Sequence, residues 1–532
     1  MPILTVLKET GDVRIDFLPG TSLLNILNTG DMRVRSGCAG SGGCGLCRIR
    51  IETGKIHELT ATERQKLSDD QVLCGIRLAC QVMPQTDLRI RILNLAPTIL
   101  WRNIQPEEYL AIGPSPSVRS ETYEGKQLGA AVDLGTTHIR LTIWDMKTGL
   151  RLAGRSGLNP QSRFGTDVLT RITAASESQE CLAAIGQLAQ NAIGEALRDM
   201  ALEMDLNIRE IGHVVIVGNT AMLALLTGIN DAALLKPGHR PGRLDYHPDA
   251  AGHWRRSWGL EADAIIEVIQ PLGGFVGSDL LAGLLATHLA EGPAGSLLID
   301  FGTNSEISLW DGNALWTTSA AGGPAFEGSG IHCGMPAEPG AIYRFEPNKT
   351  SDGFRFDVEG GGEPKGICGS GLTDIIAELI RAGMLKRNGR FTQQFGGNEF
   401  FLIAGEREIS VTKRDVDVFQ RAKAAIGAGI ACLLQKAGVR LQNLQRICIC
   451  GAFGRFLNVS NAMEVGLLPF ISSECVELAG NTALAGCELL LFDPDRVRNM
   501  ERLKSKCRLI SLSEVPEFED LFIRNLQLVP MK

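Results

Sequence analysis

The chain has 532 residues, 44% hydrophobic and 21% charged, a balance that suits a globular protein with several cores and excludes a disordered or fibrous one. A formal charge of -7, with no run of lysine or arginine, argues against nucleic acid as a partner, because that would need a concentrated basic face. Leu280–Ala290, the most apolar later stretch, is far too short to span a bilayer, and Met1–Glu9 reads as a strand without the marks of a signal peptide. These features predict a cytoplasmic protein with no membrane partner.

Residues 1–95 predict a small α+β unit. Leu4–Lys8 and Val13–Leu18 form a β-hairpin around a Gly-Asp turn, Thr21 or Ser22 caps a short helix over Leu23–Leu27, and Arg48–Glu52 and Asp87–Leu93 add strands. Between helix and third strand lies Cys38-Ala-Gly-Ser-Gly-Gly-Cys44-Gly-Leu-Cys47, with Arg77-Leu-Ala-Cys80 further on. Three cysteines in one glycine-rich loop are too crowded for pairwise disulfides. They suit one inorganic centre, whose sulfur charge the backbone N–H groups can face because glycine tolerates close approach. The pattern predicts a [2Fe–2S] cluster. Structural zinc is the competing reading, although zinc usually takes two tight C-x₂-C knuckles. Other cysteines, including Cys181, Cys333, Cys432, Cys475, Cys487 and Cys507, read as small thiols in a reducing compartment.

Residues 96–127 turn to Pro, Ser, Glu and Gly and predict a linker. Residues 128–532 contain an internal echo: Gly129-Ala-Ala-Val-Asp133-Leu-Gly-Thr-Thr137 recurs in outline as Ser296-Leu-Leu-Ile-Asp300-Phe-Gly-Thr-Asn304, each followed by an alternating strand. Two such copies imply two related lobes. An Asp-x-Gly-Thr turn offers phosphate a ring of N–H and hydroxyl donors, and its carboxylate can hold Mg²⁺ through water. The phosphate-binding set is therefore Asp133, Gly135, Thr136 and Thr137 on one side, with Asp300, Gly302, Thr303 and Asn304 on the other. Asp133 and Asp300 are the catalytic candidates. Gly451-Ala-Phe-Gly454 has the right character for the adenosine side, and Gly369-Ser-Gly371 is either a phosphate-facing or a plain helix start. Glu306 alternates outward from the second turn and is either a contact to metal or water or a solvated strand glutamate; Phe326-Glu-Gly328 lines the cleft or the partner surface or is a loop the fold requires; Asn159–Asp167 has no assigned role. Cys448 and Cys450 alternate along a strand as core thiols.

The N-terminal unit closely resembles the plant/adrenodoxin class of [2Fe–2S] ferredoxins of β-grasp fold. Its C-x₅-C-x₂-C spacing is of the adrenodoxin type, and the Arg-Leu-x-Cys-Gln context of the fourth ligand favours Cys80 over Cys74. The paired hairpins resemble the two-lobed α/β acetate-and-sugar-kinase/Hsp70/actin superfamily. Asn219-Thr-Ala-Met222, Asp300–Glu306, Ala320–Gly328 and Gly366–Gly371 look like one branch of it, the reductive activators of corrinoid proteins. That resemblance implies a [2Fe–2S] cluster on Cys38, Cys44, Cys47 and Cys80, with ATP and Mg²⁺ between the lobes. It further implies one-electron reduction of a Co(II) corrinoid protein to Co(I) and an upstream low-potential electron donor; the sequence leaves monomer and homodimer open. The alternatives are an ATP-coupled donor to another low-potential metalloenzyme, or a redox sensor that binds without turnover.

Overall fold

Five short strands, β1 (Ile3–Val6), β2 (Val13–Asp16), β3 (Arg48–Thr53), β4 (Ile76–Leu78) and β5 (Leu88–Ile92), form an N-terminal sheet in the order β2-β1-β5-β3-β4. The computed structural model describes residues 1–8, 11–28, 34, 40, 42, 45, 47–93, 101–104, 127–165, 167–228, 251–274, 276–322, 325–328, 330–348, 353–392, 399–403 and 408–531. The helix Leu23–Asn28 buries Leu23, Leu24, Ile26 and Leu27 against Leu4, Val6, Ile49 and Ile90 of the sheet. Each such aliphatic side chain contributes about 1.5–3 kcal/mol on burial. The expected α+β unit is therefore present, with its hairpin, helix and strands in the expected order.

Part of the expected linker belongs to the next domain. Arg102–Asn103 forms β6, antiparallel to the later strand Leu150–Leu158, and Ile104 is buried beside it. The reason is local: Gly157 has no side chain, and a Cβ there would meet the Trp101 ring at 2.6 Å. The aromatic fills the space the glycine leaves. Residues 105–126 lie outside the described residues.

The echo in the sequence becomes two sheets of like topology. In the first lobe, β7 (Leu128–Leu134), β8 (His138–Asp145) and β9 (Leu150–Leu158) form an antiparallel meander. β10 (Ile211–Gly218) runs parallel to β7 and β11 (Ile265–Val268) parallel to β10. In the second lobe, β12 (Ser296–Phe301), β13 (Ser305–Trp310) and β14 (Leu315–Ala320) repeat the meander. Then come β15 (Ala341–Pro347), β16 (Phe354–Val358) and β17 (Gly366–Ile367) in a small sheet of their own, and β18 (Glu399–Ile403) paired with β19 (Ile409–Thr412). β20 (Arg446–Cys450) is parallel to β12 and β21 (Val476–Gly480) to β20, with β22 (Cys507–Leu509) at the far edge beside β14. Both central strands, β7 and β12, are almost wholly buried, as expected where helices cover both faces of a sheet.

Two helices join the lobes. Ser278–Ala286 follows β11 and Thr482–Phe492 follows β21, and they cross closely because glycine stands at each contact. A Cβ at Gly486 would lie 2.0 Å from the Ala282 carbonyl oxygen, and one at Gly283 would lie 2.9 Å from Thr482 Oγ1. Larger residues would force the helices, and so the lobes, apart.

Candidate active site

The two Asp-x-Gly-Thr turns face each other across a cleft of about 600 Å³. Each turn closes on itself by a backbone bond, Gly135 N–H to His138 O at 3.0 Å and Gly302 N–H to Asn304 O at 3.0 Å. A Cβ at Gly135 would meet the His138 oxygen at 2.7 Å, so the first turn accepts no side chain there. Asp133, Gly135, Thr136, Thr137, Asp300, Gly302, Thr303 and Asn304 all line the cleft, as do Gly369 and Gly451. Gly371 and Gly454 do not. Their close neighbours are the Ile342 carbonyl oxygen, 2.1 Å from a Cβ at Gly371, and Ile449, 3.1 Å from one at Gly454. They allow the chain to pack behind the wall.

The helix Gly369–Arg381 starts at Cys368 without a side-chain cap, and Cys368, Gly369 and Ser370 line the cleft. Its N–H groups and the positive end of its dipole are thus turned toward the space a phosphate or adenosine would fill. Gly451 takes φ +85°, and a Cβ there would press on the Phe301 carbonyl oxygen at 2.4 Å and on Asp300 Oδ1 at 3.0 Å. Cys448 and Cys450 are fully buried in the strand leading to it, and burial pushes the Cys448 thiol up to about 12. They are core thiols, as expected.

Of the carboxylates that line the cleft, Asp133, Asp279, Asp300 and Glu306 are the ones whose pKa is raised. Burial, reinforced by Asp133, raises Asp300 to about 7. Asp279 is raised to about 8 by burial, with Asp300 and Asp133 adding to the effect. Glu306 is raised well above the usual range by burial and by Asp279 and Asp300, although Ser319 donates to it at 3.1 Å. Burial also raises Asp133, opposed by Arg140 and by Asn481, whose Nδ2 donates to its Oδ2 at 3.0 Å. Among the described residues no three His, Cys, Asp or Glu side chains converge closely enough to hold a metal by themselves. The donor set fits an ion that keeps waters and shares phosphate oxygens, as Mg²⁺ does.

Several contributors had no role that the sequence alone could assign. Asp279 opens the helix Ser278–Ala286, and its only trace is a second echo, Gly277-Ser-Asp-Leu-Leu-Ala-Gly283 against Gly480-Asn-Thr-Ala-Leu-Ala-Gly486. Asn219 caps the helix Thr220–Thr227 and its Nδ2 donates to Thr136 Oγ1 at 2.8 Å. The Asn159 loop braces the first turn from behind. Asn159 Nδ2 donates to the Gly135 oxygen at 2.8 Å and its backbone N–H to the Thr137 oxygen at 2.8 Å. Glu306, which alternation alone could have left in solvent, is buried at the wall.

In the N-terminal domain Cys38 and Cys44 lie outside the described residues. Cys47 and Cys80 are buried with their Sγ atoms 3.4 Å apart, whereas Cys74 is exposed at the end of the helix Asp69–Leu73. That separation is far beyond a disulfide bond and close to the roughly 3.7 Å edge of a tetrahedron with metal–sulfur bonds of about 2.3 Å. The pair therefore fits two thiolates on one metal. Gln81 Nε2 donates to Cys80 Sγ at 3.7 Å. Arg77, three residues before Cys80, is clamped by Glu63 through bonds of 2.8 Å at Nε and 2.8 Å at Nη2, and donates also to the His57 and Glu58 oxygens. Glu63 is itself fixed by the capping box with Thr60 and by the Leu78 N–H at 3.0 Å.

Comparison with known proteins bears on both sites. Residues 7–85 match a 2Fe-2S iron-sulfur cluster binding domain, residues 128–292 the RACo middle region, and residues 294–532 the C-terminal domain of RACo, the ASKHA domain. The corrinoid activation enzyme RamQ of Eubacterium limosum is 32% identical over 422 residues, 75% of this chain and 70% of that one. The [Co(II) methylated amine-specific corrinoid protein] reductase of Methanosarcina barkeri is 28% identical over 408 residues, 71% of this chain and 72% of that one. A solved structure described as a reductive activator for corrinoid, iron-sulfur protein superposes with a TM-score of 0.68 at 25% identity, covering 100% of this chain and 99% of that one. Among the described residues no helix is long and apolar enough to cross a membrane.

Proposed function

Because the chain belongs to the family of corrinoid-activating reductases that join a [2Fe–2S] ferredoxin domain to an actin-like ASKHA domain, we propose a division of labour among its own residues. The enzyme is an ATP-dependent reductive activator, which returns the Co(II) corrinoid of a methyltransferase-system corrinoid protein to Co(I) by supplying one electron. Cys38, Cys44, Cys47 and Cys80 would hold the cluster, and Cys47 and Cys80 are close enough to share one metal. When bound, the cluster supplies a one-electron carrier at a potential near −400 mV, which an upstream low-potential donor must reload. Arg77 and Glu63 fix the approach of Cys80 to its position, and Cys74 stays outside the ligand set.

In the cleft, Thr136, Thr137, Thr303 and Asn304 with the turn N–H groups grip the phosphates from two sides. Asp133 and Asp300 would hold Mg²⁺ through water, and Asp279 and Glu306 complete the carboxylate wall whose charge such an ion would neutralise. Co(I) is a stronger reductant than such a cluster, and each ~59 mV of adverse gap costs about 1.4 kcal/mol in a one-electron step. Nucleotide can offset that only through different affinity for two arrangements of the lobes. A binding site shared by both lobes meets this requirement. The observation that carries the reading is the meeting of the two turns, with Thr137 Oγ1 and Thr303 Oγ1 3.2 Å apart. The work takes place in the cytoplasm on this reading.

The test is anaerobic visible absorbance of a Co(II) corrinoid protein mixed with this protein and a low-potential reductant. Co(I) should appear only with Mg-ATP, and Asp300→Ala or Asp133→Ala should abolish it while the cluster spectrum persists. Co(I) formation by both variants at the wild-type rate would falsify the assignment of the cleft as the driving site.

A further inference from the structure

Two segments of the second lobe reach across to the first turn. Thr137 Oγ1 lies 3.0 Å from Glu327 Oε2 and 3.2 Å from Oε1, and Thr303 Oγ1 lies 3.0 Å from the same Oε2. One carboxylate thus collects the hydroxyls of both Asp-x-Gly-Thr turns. Further along, Glu338 meets His138 at 3.5 Å. The Glu327 turn is rigidly set: Gly328 takes φ +81°, and a Cβ there would meet the Met335 nitrogen at 2.3 Å. Its neighbour Phe326 packs against Phe301, Phe453 and Phe419 with ring centroids 5.5, 4.9 and 5.8 Å apart. Phe301 and Phe453 belong to the second turn and to the Gly451 loop, so the position of Glu327 is mechanically tied to both.

The surroundings favour an anion at that point. Arg171 is fully buried, donates from Nε to the Gly165 oxygen at 2.8 Å, and its Nη2 has no hydrogen-bond partner among the described residues. Burial lowers it to about 10, and the carboxylates of Asp167 and Glu327 oppose that shift. A buried guanidinium that feels Glu327 would feel a phosphoryl group placed there as well.

We propose that Glu327 is an internal stand-in for the terminal phosphate of the nucleotide, and thereby sets the discrimination between tri- and diphosphate. This rests on the nucleotide reading of the cleft given above. The carboxylate carries negative charge on acceptor oxygens, as a γ-phosphoryl group does, and takes the two hydroxyls that such a group would take. A triphosphate must displace it to bond both threonines, whereas a diphosphate whose chain ends short of them leaves it in place. Like charges at one spot also repel, so the two cannot occupy it together.

The measurement is equilibrium binding of Mg-ADP and of a Mg-bound, non-hydrolysable imido analogue of ATP to the full chain, comparing wild type with Glu327→Ala and the near-isosteric Glu327→Gln. With the competing charge gone, affinity for the triphosphate analogue should rise about tenfold or more, while that for ADP should stay within about threefold. Circular dichroism checks that both variants fold, and Glu327→Gln alone suffices if the alanine variant does not. A parallel change for both ligands, or a fall in triphosphate affinity, overturns the proposal while leaving the cleft as the nucleotide site. Binding of neither nucleotide by folded wild-type protein would remove the cleft reading and this inference with it.

Discussion

Enclosed carboxylates in the two parts of this molecule are treated in opposite ways. In the ferredoxin domain Glu63 is fully buried yet its pKa is lowered, because bonds from Arg77, Thr60 and Leu78 outweigh the burial that would raise it. In the cleft Asp133, Asp279, Asp300 and Glu306 are all raised, since burial and mutual repulsion outweigh what Arg140, Asn481 and Ser319 return. The first arrangement spends its partners on holding a chain segment beside Cys80. The second withholds partners, so that negative charge is left to be neutralised by something brought in. A carboxylate satisfied inside the fold stabilises it, while an unsatisfied cluster marks where the fold expects a cation.

The comparison breaks most sharply at Arg77. Arg77→Met strands the Glu63 carboxylate in the core and should cost about 3–5 kcal/mol, seen as loss of the visible cluster band at lower temperature or denaturant. Adding Glu63→Gln should recover much of that loss. A smaller effect sharpens the contrast through pH. Glu63 has a folded pKa below its unfolded value of 4.5, so its contribution is present above that value and fades as pH falls through the folded one. Asp300 has a folded pKa of about 7 against 3.8 unfolded, so the native state holds the extra proton between those values and stability falls as pH rises across them. Metal-free Asp300→Asn should flatten that decline, by about 2–4 kcal/mol over the whole range, in Tm measured from about pH 4 to pH 7.5. Equal slopes in wild type and variant would show that the cleft acids are neutralised within the protein.

The smallest expected effect concerns support. Asn159→Ala removes the bond to the Gly135 oxygen and the cap on Gln161, a loss of about 1–2 kcal/mol. It should weaken nucleotide binding in a titration while leaving the cluster spectrum unchanged. A variant with unaltered nucleotide affinity would mean that the first turn holds its shape without this loop.

How much of this could be read beforehand depended on distance along the chain. The two Asp-x-Gly-Thr turns were legible because each is a local pattern repeated, and strand alternation placed Cys448 and Cys450 in the core. Asp279 was not legible. One carboxylate at a helix start has no local signature, and it joins the cleft only when two helices far apart in sequence cross. Glu327 was left between cleft and scaffold for the same reason, since what defines it is the pair of hydroxyls it meets, one of them on the other lobe. Trp101–Ile104 read as linker because β6 is too short to alternate, and only the gap over Gly157 draws it into the sheet.

The crossing of Ser278–Ala286 with Thr482–Phe492 has a mechanical consequence. Both helices begin at the carboxylate wall: Asp279 stands in the first turn of one, and Asn481, the cap of the other, holds Asp133. The glycine contact therefore acts as a fulcrum set under the floor of the cleft. When the lobes rotate about it, as the jaws of pliers do, residues near the joint keep their spacing while the tips travel. Asp279, and Asp133 through Asn481, sit by that joint, so their spacing would be the last in the cleft to change as the lobes turn.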